Sequence, residues 1–169
     1  MARRRSIPST PNLDRLDHDE RSFLMVKLLA AHPELLAEAE QLATELLTDM
    51  DASAIADAVA AAMMELDIED VGNRSGRYRD GYTEPTAAAW EIVHEAFEPF
   101  LVDLRKLAEL GHISAASTMA QGLVDGLNEL GDVADDTVLA WAGDHAPIEL
   151  IEAVCLETQR LGLHPPELE

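Results

Sequence analysis

Arginine and tyrosine side chains that could bind an anionic group are concentrated in one short segment, residues 67–83. The segment contains Arg74, Arg77, Tyr78, Arg79 and Tyr82. An arginine guanidinium is a planar fork that suits carboxylate and phosphate groups, and a tyrosine ring adds a flat stacking surface. The sequence therefore predicts that these five residues bind an anion or a protein partner.

The same arginines have a second interpretation, because acidic residues are interspersed with them. These are Asp67, Glu69, Asp70 and Asp80. Ion pairs between the two sets would fix the segment to the protein without binding any ligand. Three glycines, Gly72, Gly76 and Gly81, interrupt the segment, and we expect an irregular loop over 67–83.

Glu91 and His94 could share a metal ion, because residues three apart lie on one face of a helix. Glu98 follows one turn later. This spacing resembles the ligand pairs of ferritin-type di-iron bundles, which take two further carboxylates from two other helices. The apolar stripe of this helix excludes Glu91 and leaves His94 at its edge. We therefore expect a solvated helix face, and a metal- or small-ligand-binding bundle stays as the alternative.

Motifs for nucleophilic catalysis and for nucleotide binding do not occur in the sequence. It has no G-x-S-x-G, no Walker loop and no G-x-G-x-x-G. Asp132, Asp135 and Asp136 crowd one turn, but the spacing and the central glycine of an EF-hand are missing. We therefore expect a protein that is not an enzyme and that needs no cofactor.

The charge balance is strongly acidic, with 33 acidic residues against 12 basic ones and a formal net charge of −21. Such a body repels phosphates, so we expect no direct nucleic-acid binding by the main fold. An acidic surface can instead imitate nucleic acid toward a basic protein, which is a further alternative function. The acidity is interrupted at Arg74–Arg79 and at Arg3–Arg5, within a proline-containing segment that we expect to be a flexible basic arm, residues 1–13.

The cysteine content and the hydropathy of the sequence indicate the cellular compartment that we expect. Cys155 is the only cysteine, which excludes an internal disulfide and favours a reducing cytoplasm. No run approaches the roughly 18 uninterrupted apolar residues of a membrane span, so we expect no membrane association. The alanine-rich, lysine-poor composition suits a bacterial protein from a high-GC or salt-adapted organism.

Apolar residues recur at helical spacing along most of the chain, while only 4% of residues are aromatic. This pattern predicts an all-α fold, either an antiparallel helical bundle or a short α-solenoid of about six to seven helices. We expect one helical domain over 14–165 and a tail over 166–169. In the first two helices, the residues expected to face inward are Phe23, Leu24, Leu28, Ala31, Leu35, Leu36, Ala39, Leu42, Leu46 and Leu47.

Two glycines, Gly122 and Gly126, fall inside a segment whose apolar spacing predicts a helix over 114–130. Each glycine costs a helix interior about 1 kcal/mol relative to alanine. Their presence predicts that another helix approaches closely there and that this helix is central to the fold.

One helix–turn–helix segment resembles a known repeat. The run Leu107-Ala108-Glu109-Leu110-Gly111-His112-Ile113-Ser114-Ala115-Ala116 resembles the turn and small-residue packing of TPR-type helical repeats. The resemblance covers one hairpin, about 105–130, without a second copy at the expected period of roughly 34 residues. It implies a protein-interaction scaffold and assigns no functional residues.

The leading hypothesis from the sequence is a non-enzymatic adaptor or regulatory protein. Rich apolar helix stripes without a catalytic set favour a protein that presents a helix groove, or the arginine–tyrosine loop, to a protein partner. A homodimer is one arrangement of such a protein.

Overall fold

The computed structural model describes residues 12–78, 81–130 and 137–168, with Tyr78 described in its backbone only. Contacts divide the chain into two compact units, Met1–Leu46 and Leu47–Glu169. We call residues 12–46 the N-terminal hairpin and residues 47–168 the body. The expectation of a single helical domain over 14–165 stays a prediction.

The fold is all-α, as the sequence predicted, and of the two expected arrangements a helical bundle fits it. The small two-stranded sheet was not predicted. The described part of the chain has eight α-helices: α1 His18–Ala31, α2 Leu36–Thr48, α3 Ala52–Met64, α4 Ile68–Arg74, α5 Pro85–Glu109, α6 Ile113–Glu129, α7 Val138–Ala142 and α8 Ala146–Arg160. The strands are β1 Gly76–Tyr78 and β2 Gly81–Thr83. None of these helices is both long enough and apolar enough to cross a membrane.

The N-terminal hairpin has well-defined helix ends but no core of its own. The Asp17 carboxylate accepts from the Glu20 amide at 2.8 Å, and Glu20 accepts in return from the Asp17 amide, which caps α1. No residue described in this hairpin is buried. Phe23 is 61% exposed and Leu28 is 44% exposed, so the prediction that this stripe faces inward is wrong for the hairpin as described.

The core of the body is built around α6, where glycine allows helix α3 to come close. A methyl group on Gly122 would lie 2.6 Å from the backbone oxygen of Ala52 and 2.8 Å from Cβ of Ile55. One on Gly126 would lie 2.5 Å from the backbone oxygen of Ala56. These distances leave no room for a side chain, which confirms the predicted close approach and the central position of this helix.

The turn between α5 and α6 carries the segment that resembles a TPR hairpin. Gly111 adopts φ +80°, a left-handed conformation that glycine takes without steric cost. The His112 amide donates to the Leu107 carbonyl at 2.9 Å and the Gly111 amide donates to the Ala108 carbonyl at 3.0 Å. Both bonds satisfy carbonyls at the end of α5, so this Schellman turn reverses the chain within three residues.

The prediction of an irregular loop over 67–83 is wrong. Asp67 caps the short helix α4 by accepting from the Glu69 amide at 2.9 Å. Strands β1 and β2 follow and pair antiparallel. Two of the glycines adopt the positive φ values that this hairpin needs, +106° at Gly76 and +149° at Gly81. They therefore mark the ends of strands rather than a disorganised segment.

Candidate functional site

The β1–β2 hairpin brings two of the predicted binding residues together. Arg77 lies directly opposite Tyr82 in the antiparallel register, and opposite residues project from the same face of a sheet. Both residues are exposed, Tyr82 to 62%. Among the described residues, no ion pair includes Arg77. Its guanidinium and the adjacent tyrosine ring are therefore accessible together.

Arg74, by contrast, forms an intramolecular ion pair. Its Nη1 lies 2.8 Å from Oε2 of Glu95 on α5. The hydrogen bond to Glu95 raises the pKa of the Arg74 guanidinium. The interpretation that ion pairs hold these arginines therefore applies to Arg74, although its partner lies 21 positions away rather than among the neighbouring carboxylates.

The two other members of the predicted set are Tyr78 and Arg79. The backbone of Tyr78 pairs with Gly81 at the closed end of the hairpin. The Tyr78 side chain lies outside the described part of the chain, as does the whole of Arg79. Their role in binding stays a prediction.

An apolar notch of about 280 Å³ lies at the base of this hairpin. Its lining residues are Ile68, Val71, Gly72, Ser75, Pro85 and Trp141. Ser75 immediately precedes β1 and Pro85 follows β2 by two positions, so both ends of the hairpin leave from the rim. Trp141 comes from α7 and is 45% exposed, and no motif in the sequence marks it as a binding residue. Trp141 can be recognised as a candidate binding residue only from the structure, because the other notch residues are distant from it in sequence.

The candidate metal ligands do not converge. Glu91, His94 and Glu98 are all exposed on α5. The His94 ring lies 5.2 Å from the Trp90 ring, and Glu98 accepts from Nη1 of Arg105 at 2.8 Å. Across residues 12–78, 81–130 and 137–168, no three His, Cys, Asp or Glu side chains are grouped so that they could hold a metal ion.

Arg105 joins two helices of the body. Its Nη1 contacts Glu98 and its Nε donates to Oε1 of Glu157 on α8, both at 2.8 Å. These two hydrogen bonds raise the pKa of the Arg105 guanidinium. The Glu157 side chain is only 12% exposed, which makes this a structural contact rather than a binding site.

A second candidate surface is an apolar groove of about 660 Å³ between α1 and α2 of the N-terminal hairpin. Its lining includes Met25, Leu28, Leu29, Leu36, Leu42 and Leu46. Glu38 and Glu40 are the charged residues at its edge. The sequence led us to expect a helix groove that binds a partner, and the use of this groove in binding stays a prediction.

No protein-family model, no curated protein and no solved structure matches this chain. The TPR resemblance therefore stays limited to its one hairpin, about 105–130.

Proposed function

We propose that this chain is a non-enzymatic protein-interaction protein whose body recognises a protein partner through the β1–β2 hairpin and the notch beside it. The observation that carries the proposal is the pairing of Arg77 with Tyr82, both exposed, on a hairpin that leaves from the rim of an apolar notch. Arginine, tyrosine and tryptophan are the residue types that most often dominate binding energy at protein interfaces.

The chemistry of the surface indicates what the partner presents. A carboxylate would accept a charge-assisted hydrogen bond from Arg77, while an apolar neighbour of that carboxylate covers the Tyr82 ring. A notch of about 280 Å³ has the size for one large apolar side chain and is smaller than typical small-molecule pockets. The partner segment therefore combines an acidic residue with an apolar anchor.

An extended conformation of the partner fits the hairpin. The described sheet consists of β1 and β2 alone, so each strand has an edge without a neighbouring strand. A free edge offers backbone donors and acceptors that a third strand can pair with. We place this interaction in the cytoplasm, because Cys155 has no disulfide partner within the chain.

The test is site-specific crosslinking in the source cells. A photo-crosslinking amino acid in place of Tyr82 should give one discrete adduct after irradiation, and Arg77→Ala should reduce that adduct about tenfold. The same crosslinker at Leu156, which is 66% exposed on α8, is the matched control and should give no such adduct. Equal adducts at both positions, or an adduct that is insensitive to Arg77→Ala, would refute this function.

Arg74 offers a further control within the same cluster. Because its guanidinium is already bound to Glu95, Arg74→Ala should leave the Tyr82 adduct unchanged. Loss of the adduct in this variant equal to that in Arg77→Ala would contradict the assignment of Arg77 as the partner-facing charge.

A further inference from the structure

The apolar notch lies beside the start of strand β1. Four of its six lining residues precede β1 in the chain, whereas Pro85 alone follows β2 directly. Ser75, which lines the notch, comes two positions before Arg77. The backbone of Ser75 is extended, with φ −97° and ψ 163°, and residues two apart in an extended chain are separated by about 6 to 7 Å. A pocket for an apolar side chain and an exposed cation therefore lie about two residues apart along one strand.

The space beside β1 is open to another chain. Apart from its chain neighbours, a methyl group on Gly76 would meet nothing within 4 Å, and the same is true of Gly72 in the notch. Arg77 is exposed and takes part in no ion pair among the described residues. The outward N–H and C=O groups of an edge strand can pair with an added strand. The β1 edge therefore offers backbone pairing, a cation and an apolar pocket to one segment.

The β2 edge suits an acidic segment less well. Strand β2 is followed by Glu84, which is exposed and makes no ion pair among the described residues. A partner carboxylate placed there would meet a like charge, which opposes pairing. Pro85 comes next and has no backbone N–H to donate. These two residues favour addition at β1, with the acidic side chain near Arg77 and away from Glu84.

The direction of the added strand decides the order of its residues. Antiparallel pairs outnumber parallel ones and are slightly more stable per residue. Strand β1 runs from the notch toward the closed end of the hairpin, so Ser75 precedes Arg77. An antiparallel partner runs the other way and reaches Arg77 first. Because side chains two apart project from the same face of a strand, the residue two positions later lies at the notch.

On the basis of the proposed function, we propose that the partner adds an antiparallel strand to the β1 edge and carries the order acidic residue, any residue, apolar residue. The acidic side chain lies opposite Arg77 and accepts a charge-assisted hydrogen bond from its guanidinium. The apolar side chain two positions later enters the notch, against Ile68, Val71 and Trp141. The partner is thus an extended protein segment of this order.

Two peptides of identical composition test the order. The first, GTTEVLTTG, has the proposed order, and the second, GTTLVETTG, exchanges the acidic and the apolar residue. Fluorescence anisotropy of the labelled peptides with the full chain should show that the exchange weakens binding at least about tenfold, and that Arg77→Ala weakens the first peptide about tenfold. Equal binding of the two peptides to the wild-type chain, or no saturable binding of the first below about 1 mM, would overturn the proposal.

A charge exchange tests which residue the acid meets. The peptide GTTKVLTTG should bind the wild-type chain at least about tenfold more weakly than GTTEVLTTG, and Arg77→Glu should restore its binding. Arg160→Glu is the matched control, because it reverses a charge whose side chain is 78% exposed on α8 and should restore nothing. Equal recovery in the two variants, or none in Arg77→Glu, would overturn the contact with Arg77.

Backbone pairing and the notch have separate readouts. Only alternate residues of an added strand direct their amides toward the edge, so N-methylation of one alternate set in GTTEVLTTG should abolish binding, and N-methylation of the other set should not. Equal effects of the two sets would overturn strand addition. The peptide GTTEVATTG should bind about tenfold more weakly than GTTEVLTTG to the wild-type chain, and Trp141→Ala should remove most of that difference.

The Tyr82 adduct in the source cells separates this proposal from the proposed function on which it rests. An adduct that depends on Arg77, together with equal binding of GTTEVLTTG and GTTLVETTG, would refute the order and leave the proposed function standing. Absence of the adduct, with peptides that still discriminate, would support the order and refute recognition of a partner in those cells.

Discussion

Phe23 in the N-terminal hairpin and Phe97 in the body each lie within the predicted apolar stripe of a helix. Phe97 is 1% exposed in the core of the body, whereas Phe23 is 61% exposed and has the Nζ of Lys27 4.5 Å from its ring centre. Helical periodicity therefore identifies which face of a helix is apolar. Whether that face is buried depends on a covering surface that the periodicity does not contain.

The largest expected effect comes from the same substitution in the two regions. Phe97→Ala should lower the free energy of unfolding of the body by about 3 to 5 kcal/mol, because it removes a fully buried ring and leaves a cavity. Phe23→Ala should change it by less than about 0.5 kcal/mol. Urea unfolding followed by circular dichroism measures both, and equal losses would contradict the contrast between the regions.

Close backbone packing gives the next largest effect. All nine glycines of the chain lie in the body, none of them in residues 1–46. Gly126→Ala should destabilise the body by about 2 kcal/mol, because the new methyl group meets the backbone of Ala56.

Gly72→Ala is the matched control for that substitution. A methyl group there would have nothing within 4 Å, and alanine is the better helix former, so the variant should be stabilised by about 0.5 to 1 kcal/mol. A neutral Gly126→Ala variant would contradict the close contact between α3 and α6.

The central position of α6 and a close approach at its glycines could be predicted from the sequence because their signals are local. Gly122 and Gly126 interrupt a strongly periodic helix, and only a close approach explains their cost. The elements of segment 67–83 could not be predicted, since α4 has seven residues and each strand has three. Elements that short contain too few turns or alternations to show a period.

Ion pairing provides a third contrast between the regions. Arg105→Ala should cost the body about 1 kcal/mol, because it leaves the Glu157 carboxylate, only 12% exposed, without its partner on α5. Arg21→Ala, in the hairpin, removes a charge without an ion pair among the described residues and should have no measurable effect on the unfolding of the body. Thermal unfolding at low and high salt checks both, and a larger loss in the Arg21 variant would reverse the contrast.

The candidate site was predictable only in part. The residue types of the 67–83 segment were visible in the sequence, and Arg77 and Tyr82 prove to face one another. Contacts between residues distant in sequence could not be predicted. Glu95 on α5 forms the ion pair with Arg74, and Trp141 on α7 lines the notch. Pairings between distant positions depend on helix packing, which a single sequence does not specify.

The smallest expected effect concerns thiol chemistry. Burial raises the pKa of the Cys155 thiol, with a smaller contribution from Glu152, so less thiolate is present at pH 8 than for a free cysteine. Cys155 should react with a thiol reagent several-fold more slowly in the native chain than in urea. The double variant Phe23→Cys, Cys155→Ser should react at nearly the rate of the unfolded chain. Equal protection of the thiols at positions 23 and 155 would contradict the exposure of α1.

The glycine-mediated contact between α3 and α6 also has a consequence for how the chain is made. Helix α3 begins at Ala52 and α6 at Ile113, so the two partners are about 60 residues apart in the order of synthesis. At a synthesis rate of about 5 to 20 residues per second, α6 follows α3 after about 3 to 12 s. During that interval the alanine-rich face of α3 lacks its α6 partner, so we expect slower translation through this stretch to lower the folding yield.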